Sequence, residues 1–180
     1  MEQKTKTLVI HPNDPTTDVL SVIYENKDWT IVRTIPYHSI LREMINEHDR
    51  IIMLGHGSPY GLMNSPGKGV FVIDPSFVDI LKYKKQCVYV WCNADKFVER
   101  YDLKDCFYTG MIVSELREAE YMGISHYTLK DVDESNELFC GSIARSIDLP
   151  VDVICENVKK EYITETNNII HYNKHNIYYR

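Results

Sequence analysis

Apolar residues fall along this chain in short continuous runs separated by longer amphipathic stretches, the pattern of strands feeding helices. Two such runs each end in a reactive side chain: Ile51-Ile52-Met53-Leu54, between Arg50 and Gly55-His56-Gly57, and Val88-Tyr89-Val90-Trp91, between Gln86-Cys87 and Cys92-Asn93-Ala94-Asp95. Short runs without polar alternation suit the inner strands of a parallel sheet, where both faces are covered.

Around these runs the chain reads as a βα alternation. Thr7-Leu8-Val9-Ile10 is a strand, Pro12-Asn13-Asp14-Pro15 a turn, and a helix opens at Thr16 or Thr17 with Val19, Leu20, Val22 and Ile23 on its apolar face. A strand over 29–33 is stopped by Pro36, and Ser39 caps a helix over 40–47. Residues 58–69 are rich in turn formers and are expected as a loop, part of it paired as a hairpin with 70–73. Asp74-Pro75 reads as a helix cap followed by proline at the first helical position, with the helix passing through Phe77, Ile80 and Leu81 towards Lys85. Past the second run come a helix over 94–101, a strand over 106–113 and a capped helix from Ser114 to Met122-Gly123. The polar, acidic stretch 130–136 is expected as an exposed loop, followed by helices near 136–147 and 150–163. In the tail, 168–172 and 176–179 are expected to form a late hairpin. The fold class this predicts is α/β: a three-layer α/β/α sandwich with a mostly parallel central sheet, in one domain over 1–180.

Composition changes this picture little but narrows the partners. With 44% hydrophobic and 26% charged residues the chain is ordinary globular material, long enough at 180 residues to bury a core without staples. A net charge of −6 argues against nucleic acid or an anionic membrane as the main partner, since both select basic surfaces. The N-terminal segment Met1-Glu2-Gln3-Lys4-Thr5-Lys6-Thr7 lacks the apolar stretch of a signal peptide, and the expected location is cytoplasmic. The five cysteines, Cys87, Cys92, Cys106, Cys140 and Cys155, are odd in number and contain no CxxC pair, which speaks for reduced thiols. His171 and His175 are four apart but have no nearby acid or thiol, so no metal site is expected, and no cofactor.

The chemistry sits at the ends of the two apolar runs. If both are inner strands of a parallel sheet, His56 and Cys92 emerge at its C-terminal edge, where α/β folds hold ligands. A histidine beside a cysteine can take the thiol proton, which a cysteine nucleophile needs near neutral pH. Taken singly, His56 reads as a turn histidine satisfied by a carbonyl and Cys92 as a core thiol. Their joint placement is what points to catalysis. Ser58 and Tyr60 in the loop after His56, and Ser114 and Glu115 after the 106–113 strand, are candidate substrate contacts. Plain turn and capping chemistry also explains them. Asp95 reads as a first-turn acid at a helix N-terminus.

On these residues the chain resembles the caspase-like superfamily of cysteine peptidases, which includes caspases, metacaspases, gingipains, clostripain, separase and CHAT-domain peptidases. In those families a hydrophobic strand ending in His-Gly precedes one ending in the nucleophilic cysteine. Ile51-Ile52-Met53-Leu54-Gly55-His56-Gly57 is similar to the first and Val88-Tyr89-Val90-Trp91-Cys92 to the second, with a separation of 36 residues from His56 to Cys92, against about 50 in caspases. The resemblance covers roughly residues 7–124. It implies a cysteine endopeptidase in which His56 is the general base and acid, Cys92 attacks the carbonyl, and the backbone N–H groups of Gly57 and Cys92 hold the oxyanion. Its partner would be a protein or peptide substrate, with an activating ligand or partner protein compatible with the family. The chain departs from the pattern at Trp91, where a small residue is usual, at Asn93-Ala94, and at Val90, where basic-specific members often have an acid. No specificity therefore carries over. The alternative is a non-catalytic α/β binding or signalling module whose crevice holds a small anionic or nucleotide-like ligand, although no GxGxxG or Walker loop is present. A ligand-gated peptidase would combine the two.

Overall fold

The computed structural model describes residues 5–65 and 69–180. In chain order β1 (Thr7–Ile10) leads through a 3-10 segment, Pro15–Tyr24, to β2 (Thr30–Val32), α1 (His38–Asn46) and β3 (Arg50–Leu54). A small antiparallel sheet of β4 (Gly57–Ser58), β5 (Gly61–Met63) and β6 (Phe71–Ile73) follows, then a 3-10 turn, Pro75–Phe77, and α2 (Val78–Leu81). The chain continues through β7 (Cys87–Val90), α3 (Ala94–Tyr101), β8 (Cys106–Thr109), α4 (Leu116–Tyr121), α5 (Leu129–Ser146), α6 (Val151–Glu161), α7 (Asn168–Lys174) and β9 (Ile177–Tyr179).

Among the described residues the main sheet has six strands, in the order β2-β1-β3-β7-β8-β9. All neighbours are parallel except the last pair, where β9 runs antiparallel to β8. The fold is thus α/β with a mostly parallel mixed sheet. Strand order reverses between β1 and β3, so their C-terminal ends open a crevice at a topological switch point.

The apolar runs lack alternation because the sheet is covered on both sides. Ile51 and Met53 of β3 and Cys87 and Tyr89 of β7 pack with Leu41 and Ile45 of α1, Leu81 of α2, and Phe97 and Val98 of α3. Ile52, Leu54, Val88 and Val90 face the other way, against Leu20 and Ile23 of the 3-10 segment, Phe139 and Ile143 of α5, and Ile154 and Val158 of α6. Successive residues of one strand therefore serve two cores, and both cores demand apolar side chains. A third, smaller cluster joins Val113, Ala119 of α4, Val132 of α5 and Ile169 of α7.

Several elements differ from the sequence expectations. The first helix is 3-10 and begins at Pro15, because the Asp14 carboxylate takes the Thr16 N–H at 3.0 Å and caps it there. α1 starts at His38, with Tyr37 at its cap position, so Ser39 lies inside the first turn rather than capping it. The Asp74 cap holds, but the helix after it is a 3-10 turn and a single short α-helix. α4 is capped by Glu115, not Ser114, in a reciprocal capping box with Glu118. The strands expected over 29–33 and 106–113 shorten to β2 and β8. The loop over 58–69 contributes β4 and β5 and ends in residues partly outside those described.

The two largest corrections are downstream. Residues 130–136 form the first turns of α5, since Thr128 and Asp131 make a capping box and Val132, Ser135 and Phe139 recur at helical spacing on its buried face. The expected tail hairpin is instead α7 followed by β9. Asn167 caps α7 by accepting from Ile169 and Ile170, and β9 completes the sheet against β8 rather than pairing with its own neighbour. No helix among the described residues is long and apolar enough to cross a membrane.

His11, directly after β1, is fully buried between the Tyr24 hydroxyl at 3.0 Å and the Thr17 hydroxyl at 3.2 Å. Burial, aided by the Arg33 charge, pushes its imidazole down to about 4. The folded protein therefore keeps His11 neutral where the unfolded chain, titrating near 6.5, takes up a proton. Its contribution is complete above pH 6.5 and is lost as pH falls from 6.5 towards 4, up to about 3 kcal/mol. Urea unfolding across that window should show the loss, and His11→Gln should flatten this part of the profile.

Candidate active site

The geometry of the site begins with the register between β3 and β7. Leu54 pairs with Val90, and one residue on the Gly55 N–H donates to the Val90 carbonyl at 3.0 Å. His56 and Cys92 each stand two residues beyond that pair, at the same level of adjacent parallel strands. Both line the crevice, with Gly55, Thr16 and Thr17 at the β1 side, Ser114 and Asn136 at the other, and Leu20, Phe139 and Cys140 as its apolar wall.

Cys92 sits in a sharp strand-to-helix turn. The Ala94 N–H closes the turn on the Trp91 carbonyl at 3.2 Å, and Asn93 adopts a left-handed conformation with φ 66°, which asparagine tolerates well. Trp91 anchors the turn from the opposite face of the sheet: it is buried against Tyr89 and Phe97, and its indole N–H donates to the Ser58 carbonyl at 3.2 Å. The Thr109 hydroxyl holds the Trp91 carbonyl at 2.9 Å. Gly57 makes this packing possible, since a Cβ there would lie 2.1 Å from the Trp91 ring. The large residue before the cysteine and the glycine after the histidine thus form one fitted contact.

The two reactive groups have committed partners. His56 Nε2 lies 2.7 Å from the Thr16 hydroxyl, which is itself 2.7 Å from the Asp14 carboxylate. The half-buried Cys92 thiol donates to the Ile112 carbonyl at 3.5 Å. Burial, reinforced by the nearby Glu118 carboxylate, pushes that thiol up to about 12, so it rests protonated.

The remaining candidates divide. Ser114 lines the crevice, but its hydroxyl and N–H bond the Glu118 carboxylate as part of the α4 cap. Glu115 is half-buried, ion-paired with Arg117 at 2.7 Å, and lies outside the lining. Ser58 serves Trp91 through its carbonyl, and exposed Tyr60 stacks under the Arg100 guanidinium at 5.0 Å; neither lines the crevice. Asp95 is buried in the first turn of α3 and pairs with Lys96 at 3.2 Å. The sequence reading missed Thr16, Thr17, Asn136 and Asp14. The first two follow β1, and the switch-point rule applied to the β1 turn would have flagged them.

No family model matches this chain, and no curated protein matches it. Among solved structures it is similar to the Trp repressor binding protein from Bacillus subtilis, at 12% identity and a TM-score of 0.34, over 67% of this chain and 79% of that one. So slight a likeness bears on neither fold nor activity.

Two outcomes follow from the site's packing. Iodoacetamide should alkylate Cys92 ahead of the four fully buried thiols, yet more slowly at neutral pH than a free cysteine, and the rate should keep climbing above pH 9 without levelling, as peptide-mapping mass spectrometry reads it. Gly57→Ala should displace the Trp91 ring and lower stability by about 1–3 kcal/mol, read as a shift in the urea midpoint.

Proposed function

We propose that this chain is a cysteine endopeptidase of caspase-like type, with Cys92 as nucleophile and His56 as general base and acid. The observation that carries the reading is the pair of strand ends: β3 and β7 are parallel neighbours in register, and each delivers its reactive residue at the same level into one crevice. A peptide carbonyl entering the crevice meets the Cys92 sulfur. His56 takes the thiol proton as sulfur attacks, a thioester forms, and the proton passes to the departing amine. Water, deprotonated by the same imidazole, then releases the acid. The backbone N–H groups of Gly57 and Cys92 are the donors for the oxyanion. Because the resting thiol is protonated and held by Ile112, proton transfer accompanies attack; there is no stored thiolate. The substrate is a protein or peptide.

A second reading draws support from that same thiol. A protonated cysteine bonded to a carbonyl, in a crevice at a switch point, also suits a binding module for a small anionic ligand, in which Cys92 is wall rather than nucleophile. Digestion of a peptide library, with new termini read by mass spectrometry, separates the two. Cys92→Ala should abolish cleavage while keeping the fold, and His56→Ala should reduce it by about 10²–10⁴-fold. Equal cleavage by the Cys92→Ala protein eliminates the mechanism.

A further inference from the structure

The contact between His56 and the turn after β1 has a hydrogen-bond logic that decides which imidazole nitrogen is basic. The Thr16 hydroxyl has one proton and two close partners, Asp14 Oδ1 and His56 Nε2, both at 2.7 Å. Burial works to raise the Asp14 carboxyl, but hydrogen bonds from the Thr16 hydroxyl and N–H, with the His56 charge nearby, outweigh it and hold the group below its usual range. Asp14 is therefore a carboxylate, which can only accept. An oxygen–oxygen contact this short needs a proton between the atoms, and Thr16 alone can supply it. The hydroxyl proton is thus spent on Asp14, and Thr16 faces His56 with a lone pair. The contact to Nε2 is a hydrogen bond only if Nε2 carries the ring proton.

We propose that Asp14 and Thr16 are positioning residues for His56: together they fix its imidazole with the proton on Nε2 and leave Nδ1 as the basic nitrogen of the crevice. The inference deepens the peptidase reading and rests on it for its catalytic consequence. When the Cys92 S–H bond breaks, its proton forms an N–H bond at Nδ1 and the sulfur keeps the electron pair that attacks the carbonyl carbon. The imidazolium keeps its Nε2 proton on Thr16, and Thr16 keeps its own on Asp14, so the new positive charge faces a fixed hydroxyl backed by an anion.

The chain contains its own comparison. Asp74-Pro75-Ser76 repeats the turn of Asp14-Pro15-Thr16: the Asp74 carboxylate accepts from the Ser76 N–H at 2.8 Å and from its hydroxyl at 2.5 Å, capping the 3-10 turn before α2. Capping requires no more than this. At Asp14 the same turn also reaches a side chain on another element, 40 residues away.

The test uses the full-length protein labelled with ¹⁵N in histidine, with the His56 signals assigned by their loss in His56→Gln. At a pH where the ring is neutral, the nitrogen shifts should place the proton on Nε2. Thr16→Val should relax that preference to the tautomer mixture of a free histidine, Thr16→Ser should restore it, and Ser76→Ala, which loses an equivalent capping bond, should leave it intact. Labelling of Cys92 by a peptidyl chloromethyl ketone should slow about 10- to 100-fold in Thr16→Val and recover in Thr16→Ser; a wrong tautomer in a serine protease triad costs about 10⁴-fold, and the exposed hydroxyl here holds its ring less tightly. A ring proton on Nδ1 in the unaltered protein overturns the proposal, as does a Thr16→Val protein with unchanged shifts and labelling. If the unaltered protein shows the Nε2 proton and the Thr16 response but Cys92 never reacts with the ketone, the positioning of His56 stands and the peptidase reading falls.

Discussion

The register between β3 and β7 is the constraint on which the site depends. Leu54 opposite Val90, extended by the Gly55 N–H on the Val90 carbonyl, sets two strand ends level, so that chemistry two residues beyond each meets in one place. A slip of one residue would turn Ile52, Leu54, Val88 and Val90 from one core into the other and point the reactive side chains to opposite faces. Because both faces of these strands are buried, such a slip is excluded by two cores at once.

A second contact holds the level ends together across the sheet. The Trp91 indole fills the space that Gly57 leaves and bonds the Ser58 carbonyl, tying the small antiparallel sheet after His56 to the turn that carries Cys92. Structured elements therefore flank the crevice on both sides. Trp91 and Gly57 form one structural unit.

Burial that stabilises the fold also sets its chemistry. Desolvation keeps His11 neutral after β1 and Cys92 protonated in the crevice. Each group of the His56–Cys92 pair has a hydrogen-bond partner outside the pair: Ile112 for the thiol, Thr16 for the imidazole. Thr16 ties the ring to the turn after β1, and Ile112 ties the thiol to the segment after β8.

The apolar runs by themselves determined the α/β class, the position of β1, β3 and β7, the exact span of α3 and the placement of His56 and Cys92 at strand ends, because both-face burial writes itself into local composition. Three things were not legible there. The stretch 130–136 is polar enough to read as a loop, and becomes helix because Val132, Ser135 and Phe139 find a buried face supplied by distant elements. The tail is a helix and an edge strand because β8 offers an open edge that β9 fills, a partner that lies far away in sequence. The neighbours of the reactive pair are set by strands that pair only on folding: Thr16 follows β1, which lies beside β3, and Ile112 follows β8, which lies beside β7. Local pattern records what a residue needs covered; what covers it, and which proton it then holds, is decided by the parts of the chain that arrive there on folding.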